Sequence, residues 1–251
     1  MKRLALVLGI IASLAIGQVA NATPFTSTYD DTAKNWATWT AATNDNADPY
    51  GSPSIVSTSV TMDSVSRQLL NISFNLGSNN FSETSGDLFI DSNNDLKWDY
   101  VVRSLGNTSN TNGGIFSASL YSLTALDYNS ATASNVFIKS FNGLDLTGAS
   151  FRSGHPIGLL ADPETSNRSI RGSLLGGVDY SAGATAISFD FSKLNNTLLF
   201  NTDFTIGYTV SCANDVVYQN VPVPEPGTMV LLGAGLLGLA IFGKRRMGKQ
   251  A

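Results

Sequence analysis

Oxygen-bearing side chains alternate along residues 91–95, where Asp91, Asn93 and Asp95 are separated by single residues. Carboxylate and amide oxygens at positions 1, 3 and 5 of a loop can converge on a calcium ion. Asp99, or Asp87 upstream, could supply a further carboxylate. We therefore predict calcium as the cofactor that Asp91, Asn93, Asp95 and Asp99 could hold.

The same loop departs from the EF-hand pattern at two positions. Leu96 stands where a glycine permits the sharp turn, and Val102 stands where a bidentate glutamate closes the site. The EF-hand is therefore disfavoured, and two interpretations stay open. One is a calcium site on a β-hairpin; the other is a plain hairpin turn, in which Asp and Asn bond their own backbone.

Aromatic side chains offer a second kind of chemistry, since a flat ring can stack on a sugar. The candidates are Trp36, Trp39, Tyr50 and Trp98. Core packing is the favoured interpretation for them, because Trp36 and Trp39 share one side of a helical turn and would dock a helix onto a sheet.

Catalytic motifs are missing from the sequence. It contains no Gly-x-Ser-x-Gly, no His-Glu-x-x-His and no phosphate-binding loop. His155 is interpreted as a loop residue and Cys212 as a small buried hydrophobe. We predict that the protein is not an enzyme, and a hydrolase built on two aspartates is the rival from that class.

The composition of the chain excludes further kinds of site and partner. The 251 residues include one Cys and one His, so neither an intramolecular disulfide nor a multi-histidine zinc site can form. The formal net charge is −4, but residues 23–226 hold nine basic against nineteen acidic residues, a charge of about −10. A nucleic-acid partner is therefore disfavoured.

The elements that must position these residues are predicted to be β-strands. Apolar residues alternate with polar ones in the segments 70–76, 98–102, 116–120, 187–191 and 204–212, and Gly, Asn, Asp and Ser separate them. We predict an all-β domain over residues 23–220, an antiparallel β-sandwich of jelly-roll type. Short helices are expected at residues 31–39 and 192–199, and residues 106–114 are expected to be a hairpin loop rather than a linker.

Residues 1–22 have the build of a secretory signal peptide. Lys2 and Arg3 precede an apolar run, and Ala20-Asn21-Ala22 provides an A-x-A cleavage signal. We expect signal peptidase to cut there, so that the mature chain starts near Thr23.

The C-terminus has three consecutive parts. Residues 221–227 contain Pro224, Glu225 and Pro226; residues 228–243 are uncharged and predict a short transmembrane helix; and residues 244–251 begin with the basic cluster Lys244, Arg245 and Arg246. By the positive-inside rule the basic tail stays in the cytoplasm and the main domain lies outside the inner membrane.

This combination resembles the PEP-CTERM sorting signal of bacterial exosortase substrates, over about the last thirty residues. The stretch from Ser211 to Asp215 also resembles a Cys-x-Asn-Asp sequence found shortly before that motif. The resemblance implies that exosortase cleaves near residues 224–226 and that the product is released or attached at the cell surface. It also implies a Gram-negative bacterium that makes exopolysaccharide and biofilm.

Together these observations predict an exported surface or extracellular-matrix protein with a structural or adhesive role, for which exopolysaccharide is a candidate partner. The rivals are a carbohydrate-binding module and a secreted polysaccharide hydrolase. A solvent-exposed row of aromatic rings would favour the first rival, and two carboxylates facing each other in a cleft would favour the second.

Overall fold

Apolar and polar side chains alternate along most of the strands in the computed structural model, as a sheet with one buried face requires. The structure describes residues 24–30, 55–77, 86–104, 114–127, 137–138, 158–159, 172–183, 185–194, 198–209, 216–223 and 235–236. The strands are β1 (Pro24–Asp30), β2 (Ile55–Asp63), β3 (Leu69–Leu76), β4 (Leu88–Asp91), β5 (Lys97–Arg103), β6 (Gly114–Asp127), β7 (Phe137–Ile138), β8 (Gly158–Leu159), β9 (Gly172–Ala182), β10 (Ala186–Asp190), β11 (Phe204–Thr209) and β12 (Val216–Val221).

Ten of these strands form one antiparallel sheet in the order β1-β2-β3-β10-β9-β6-β5-β4-β11-β12, and β7 pairs with β8 separately. The prediction of an all-β antiparallel fold is confirmed. The predicted two-layer sandwich is wrong, because the single sheet curls until it nearly closes, with β12 close to β2. Twist accumulates over ten strands, and a sheet of this width curls so that its own two halves cover each other.

The inner face of this sheet holds the main core. Phe74 on β3 stacks on Tyr208 on β11, with ring centroids 4.2 Å apart, and Phe189 on β10 meets Tyr208 edge-on. β3 and β10 are neighbours, but β11 lies far from both in the sheet order, so the contacts of Tyr208 with the other two rings cross the interior between the two halves of the sheet. All three residues belong to alternations that the sequence predicts.

A smaller apolar cluster lies on the outer face and consists of Phe89, Trp98, Val101, Tyr121 and Leu159. The sequence pattern places Trp98 on the same face as Tyr100 and Val102, and this is wrong. The pairing of β5 with β6 is irregular between Trp98 and Tyr100. Tyr100 consequently packs against the inner core, whereas Trp98 lies in the outer cluster.

Gly207 makes room for Trp98. The indole lies across the outer side of β11, and a β-carbon at position 207 would collide with its six-membered ring. Phe89 on β4 and Tyr218 on β12 flank the indole, with ring centroids 5.5 and 5.8 Å away. Trp98 is fully buried in this position.

The helix predicted at residues 192–199 is wrong for the part that the structure describes. Ser192 and Lys193 form a turn, and Leu199 makes a β-bridge to Gln68. The turn is stabilised locally, because Asp190 accepts a hydrogen bond from the Ser192 backbone at 2.8 Å. Leu194 and Leu198 are buried in the core, and the backbone N–H of Leu69 donates to the Leu198 carbonyl at 3.0 Å, so both described ends of this segment pack against the sheet.

The connection between β5 and β6 agrees with the predicted loop. The strands that flank residues 106–114, β5 and β6, are antiparallel neighbours in the sheet, as a hairpin loop requires.

In the predicted span 228–243 the structure describes only Gly235 and Leu236, which are helical. No helix among the described residues has both the length and the apolar character needed to cross a bilayer. The helix predicted at 31–39 and the signal peptide lie outside the described residues.

Candidate functional site

The loop between β4 and β5 is organised around Asp91. One carboxylate oxygen of this buried residue accepts hydrogen bonds from the backbone N–H groups of Asn93 and Asn94, at 3.2 and 2.7 Å. The other oxygen accepts one from Leu96 at 2.9 Å. A single side chain thus orders most of the loop's backbone donors.

The other predicted calcium ligands make similar bonds. Asn93 accepts from the backbone of Asp95 at 3.0 Å, and Asp95 accepts from Lys97 at 3.1 Å. Asp99 accepts from the backbone N–H of Ser92 at 2.8 Å and from its hydroxyl. The structure therefore places all four predicted ligands in this loop or on the strands that border it, and each accepts at least one hydrogen bond from the same hairpin.

Backbone geometry completes the turn. Asn94 and Leu96 have φ of 59° and 67°, a left-handed conformation that favours glycine and is strained for leucine. These contacts are the ones expected of the plain hairpin turn. Among the described residues, no three His, Cys, Asp or Glu side chains are grouped so as to hold a metal ion. The calcium site stays a prediction.

Asp87 lies at the other end of β4 and has a different role. Its buried carboxylate accepts hydrogen bonds from the backbone N–H groups of Ser104, at 2.9 Å, and Leu159, at 3.0 Å. Arg103 lies 3.5 Å from the same carboxylate and also donates to the Leu159 carbonyl at 3.1 Å. This cluster, here called the Asp87 clasp, fastens β8 over the outer apolar cluster. Sequence patterns do not predict it, because its contacts bring Leu159 to Arg103 and Asp87, which lie 56 and 72 positions earlier in the chain.

The aromatic candidates divide into two groups. Trp98 is buried, so the core-packing interpretation is confirmed for it and it offers no ring to a sugar. Trp36, Trp39 and Tyr50 lie outside the described residues, as do His155 and Cys212.

Polar side chains cover the outer face of the other half of the sheet in two rows that run across the strands. The first row follows the strand register through Thr28, Ser59, Ser73, Ser188 and Ser181, and the second through Thr26, Thr61, Asn71, Asp190, Asp179 and Ser117. Neighbouring members of a row are separated by the strand spacing of about 4.8 Å. We call this surface the hydroxyl face.

Direct contacts link several members of the hydroxyl face. The hydroxyls of Thr26 and Thr61 are 2.8 Å apart, those of Thr28 and Ser59 are 3.0 Å apart, and those of Ser181 and Ser188 are 2.8 Å apart. A hydroxyl has one donor and two acceptor positions, so each pair keeps capacity for further hydrogen bonds. The Ser and Thr residues in β1 and β2 were the sequence signal that could have indicated this face. Such residues are also common in loops, so they do not by themselves predict a strand.

Charge on this face is concentrated at one end. Lys193 donates a hydrogen bond to Asp179, and this bond, with the attraction of the carboxylate, raises the pKa of the lysine. Both side chains border an open depression of about 590 Å³, whose floor includes Gly176 and Gly177. The depression is polar and wide, without an enclosed apolar pocket that would hold a small ligand.

The sheet ends where the predicted sorting motif begins. After β12 the backbone N–H of Val223 donates to the carboxylate of Asp203 at 3.1 Å, and Val223 packs against the inner core. Residues 224–226 and the basic cluster at 244–246 lie outside the described residues. The fold therefore supplies an all-β unit that is anchored immediately before this segment.

Comparison with known families identifies the segment. Residues 222–246 match the PEP-CTERM protein-sorting motif, so the resemblance predicted from Pro224, Glu225 and Pro226 is confirmed. The motif implies processing by exosortase, and it is consistent with export to the cell surface or the extracellular space. No curated protein and no solved structure matches the chain.

Proposed function

We propose that the chain is made with a cleavable signal peptide, held in the inner membrane by its C-terminal segment, cut by exosortase near residues 224–226, and delivered as a non-catalytic structural or adhesive component of the surface matrix. The observation that carries the proposal is the sorting motif at residues 222–246. Its position agrees with processing, because a cut after Val223 leaves the whole sheet on one side.

The limits of the sheet support both predicted cuts. The compact unit that contains the sheet begins at Pro24 and ends at Val223. Signal peptidase would leave Thr23 directly before β1, and exosortase would cut directly after the residue that Asp203 anchors. Neither cut would remove any of the strands or core side chains that the structure describes.

The surface supports a role in a hydrated polysaccharide matrix. The charge of about −10 over residues 23–226 makes copies repel one another at low ionic strength and discourages adhesion to anionic polymer. The hydroxyl face offers many hydrogen-bonding groups and few charges, which suits weak, repeated contacts with neutral sugar hydroxyls. A structural role needs such a surface and no catalytic cleft.

Fractionation of cells with and without the processing enzyme tests the proposal. We expect the sheet unit to appear at the surface or in the medium when exosortase is present. Without the enzyme we expect it to accumulate in the inner membrane with its tail attached. The triple variant Pro224→Ala, Glu225→Gln, Pro226→Ala should behave in normal cells as the unaltered chain does in cells that lack exosortase.

Asn220→Ala is the matched control, since Asn220 is exposed on β12 just before the motif. The control should be processed like the unaltered chain. An identical distribution of the chain in both kinds of cell would refute the proposal.

A further inference from the structure

Within the described part of the chain, β1 is an edge strand of the sheet. β1 pairs with β2 in an unbroken antiparallel register from Pro24 to Asp30, and no strand in the described part of the chain pairs with its other side. The outward N–H and C=O groups of such a strand can pair with a further strand.

Proteins usually protect such an edge with lysines, a central proline or a bulge. In β1 the proline stands at the first position, the only charge is Asp30 at the last, and the pairing with β2 contains no bulge. The five central residues are uncharged. The strand itself therefore carries none of these three protections over its five central residues.

The sequence of β1 is also symmetric in residue type about Ser27. Threonines stand on both sides of Ser27, at positions 26 and 28, and aromatic residues stand next, at positions 25 and 29. Two such strands placed antiparallel with Ser27 opposite Ser27 bring each residue against a partner of its own kind. A two-fold axis through Ser27 thus makes the edge complementary to itself.

We propose that two copies of this chain associate through their β1 edges, antiparallel and centred on Ser27, so that their two sheets become one continuous sheet. Thr26 of one copy then lies opposite Thr28 of the other, and Phe25 lies opposite Tyr29. Asp30 lies opposite Pro24, so the charges at the ends of the strands do not face each other.

Contacts within one copy support this choice of partner. Thr26 already pairs with Thr61 and Thr28 with Ser59 across neighbouring strands, by direct hydroxyl contacts. Pairing of Thr26 with Thr28 of the second copy repeats that arrangement and extends the rows of the hydroxyl face from one molecule into the next. Phe25, which is 47% exposed in one copy, gains an aromatic partner.

The expected association is weak and depends on salt. Two seven-residue strands bury a small area, at the low end of specific interfaces. The acidic copies repel each other, so association should strengthen as ionic strength rises and screens their charges. Confinement to a surface raises the local concentration and compensates for the low affinity.

Cysteine cross-linking of the protein recovered from the cell surface tests the geometry. In a Cys212→Ser background, Ser27→Cys places two thiols opposite each other on the two-fold axis, within reach of a disulfide. We expect a disulfide-linked dimer to form at least ten times faster than with Ser73→Cys, a control on β3 in the middle of the hydroxyl face. Equal rates for the two positions would overturn the proposal.

Charge substitution tests the register independently of cross-linking. Thr26→Lys with Thr28→Lys places lysines opposite lysines between copies, and the dimer fraction in sedimentation should fall several-fold. Thr26→Lys with Thr28→Asp places opposite charges together and should restore or increase it. Circular dichroism establishes that both variants are folded. A dimer that neither pair of substitutions changes, or a protein that stays monomeric at high salt and high concentration, would contradict the proposal.

Discussion

The carboxylate of Asp91 holds the loop between β4 and β5 by accepting three backbone hydrogen bonds. In Asp91→Asn the amide NH₂ replaces one of the two accepting oxygens and opposes a backbone N–H donor. We expect a loss of about 1–3 kcal/mol in the free energy of unfolding, measured by urea denaturation. Asp95→Asn is the control, because Asp95 is exposed and accepts one bond, and it should change the stability by less than about 0.5 kcal/mol.

The unaltered chain and Asp91→Asn also test the calcium prediction. A cation bound only by the folded loop raises Tm in proportion to its occupancy. If calcium binds, the melting temperature of the unaltered chain rises with calcium relative to chelator, and that of Asp91→Asn rises less. If the unaltered chain has the same melting temperature with calcium and with chelator, the loop is a plain hairpin turn.

Gly207 is the residue whose substitution should report on Trp98. A methyl group at position 207 collides with the indole, which Phe89 and Tyr218 hold in place. We expect Gly207→Ala to cost about 1–3 kcal/mol in thermal or urea denaturation and to shift tryptophan fluorescence. Gly177→Ala, where a β-carbon meets only an ordinary contact, should leave both signals nearly unchanged, and equal effects at both sites would contradict this packing.

Tyr218 should set an alkaline limit on stability. Burial raises its pKa well above the usual 10.0. The unfolded chain therefore loses this proton near pH 10 while the folded chain retains it, so stability is complete below about pH 10 and falls as the pH rises further. In denaturation measured from about pH 8 to about pH 11, Tyr218→Phe should reduce the fall.

Tyr100→Phe is the control for this measurement, since burial and the nearby Asp99 also raise the pKa of Tyr100, but less strongly. Its effect on the alkaline fall should be smaller. A larger effect from Tyr100→Phe would mean that Tyr218 does not set the limit.

At the scale of elements, the Asp87 clasp determines whether β8 covers the outer cluster. Asp87→Asn removes the buried charge opposite Arg103 and one acceptor for the Leu159 N–H. Because the Arg103 side chain is 22% exposed, we expect a loss of about 2–3 kcal/mol, below the ~3–5 kcal/mol of a fully buried pair.

Hydrogen exchange locates that effect. The Leu159 amide should exchange much faster in Asp87→Asn. Amides in β10 should lose only as much protection as the loss of overall stability explains. Lys193→Gln, which breaks an exposed ion pair, should leave the Leu159 amide unchanged. Unchanged exchange at Leu159 in Asp87→Asn would show that β8 is held by something else.

The elements that the sequence predicts best are those with strong apolar alternation. The segments 70–76 and 187–191 coincide closely with β3 and β10, and β11 (Phe204–Thr209) fills the part of the predicted segment 204–212 that the structure describes. In contrast, β1 and β2 are rich in Ser and Thr, and β9 contains three glycines, so their composition also fits loops. Leu194 and Leu198 have helical spacing, but Leu194 follows a turn and Leu198 directly precedes the β-bridge of Leu199, and both leucines are buried.

Single-strand patterns could not predict how the strands assemble. Whether antiparallel strands form two layers or one curled sheet depends on the twist summed over all pairings. The side on which Trp98 lies depends on an irregularity in its pairing with β6, and the Asp87 clasp depends on contacts with Leu159, which is distant in sequence. The sorting motif was predictable because it is one contiguous stretch of sequence, residues 222–246, and does not depend on how the strands pair.

At the scale of the whole molecule, the strands of the sheet and the sorting motif occupy separate parts of the chain. The sheet carries its own core from Pro24 to Val223, and the motif lies in residues 222–246 beyond the last strand. Processing can therefore remove the C-terminal segment and leave the core intact. This separation makes export of a folded, acidic, hydroxyl-rich unit the central claim.

Mass spectrometry of the protein recovered from the cell surface tests that claim most directly, because it reads both ends of the same molecule. We predict an N-terminus at Thr23, a C-terminus within residues 224–226 and no peptide from residues 244–251. Recovery of the 244–251 peptide in equal amount with peptides from the sheet would contradict the account.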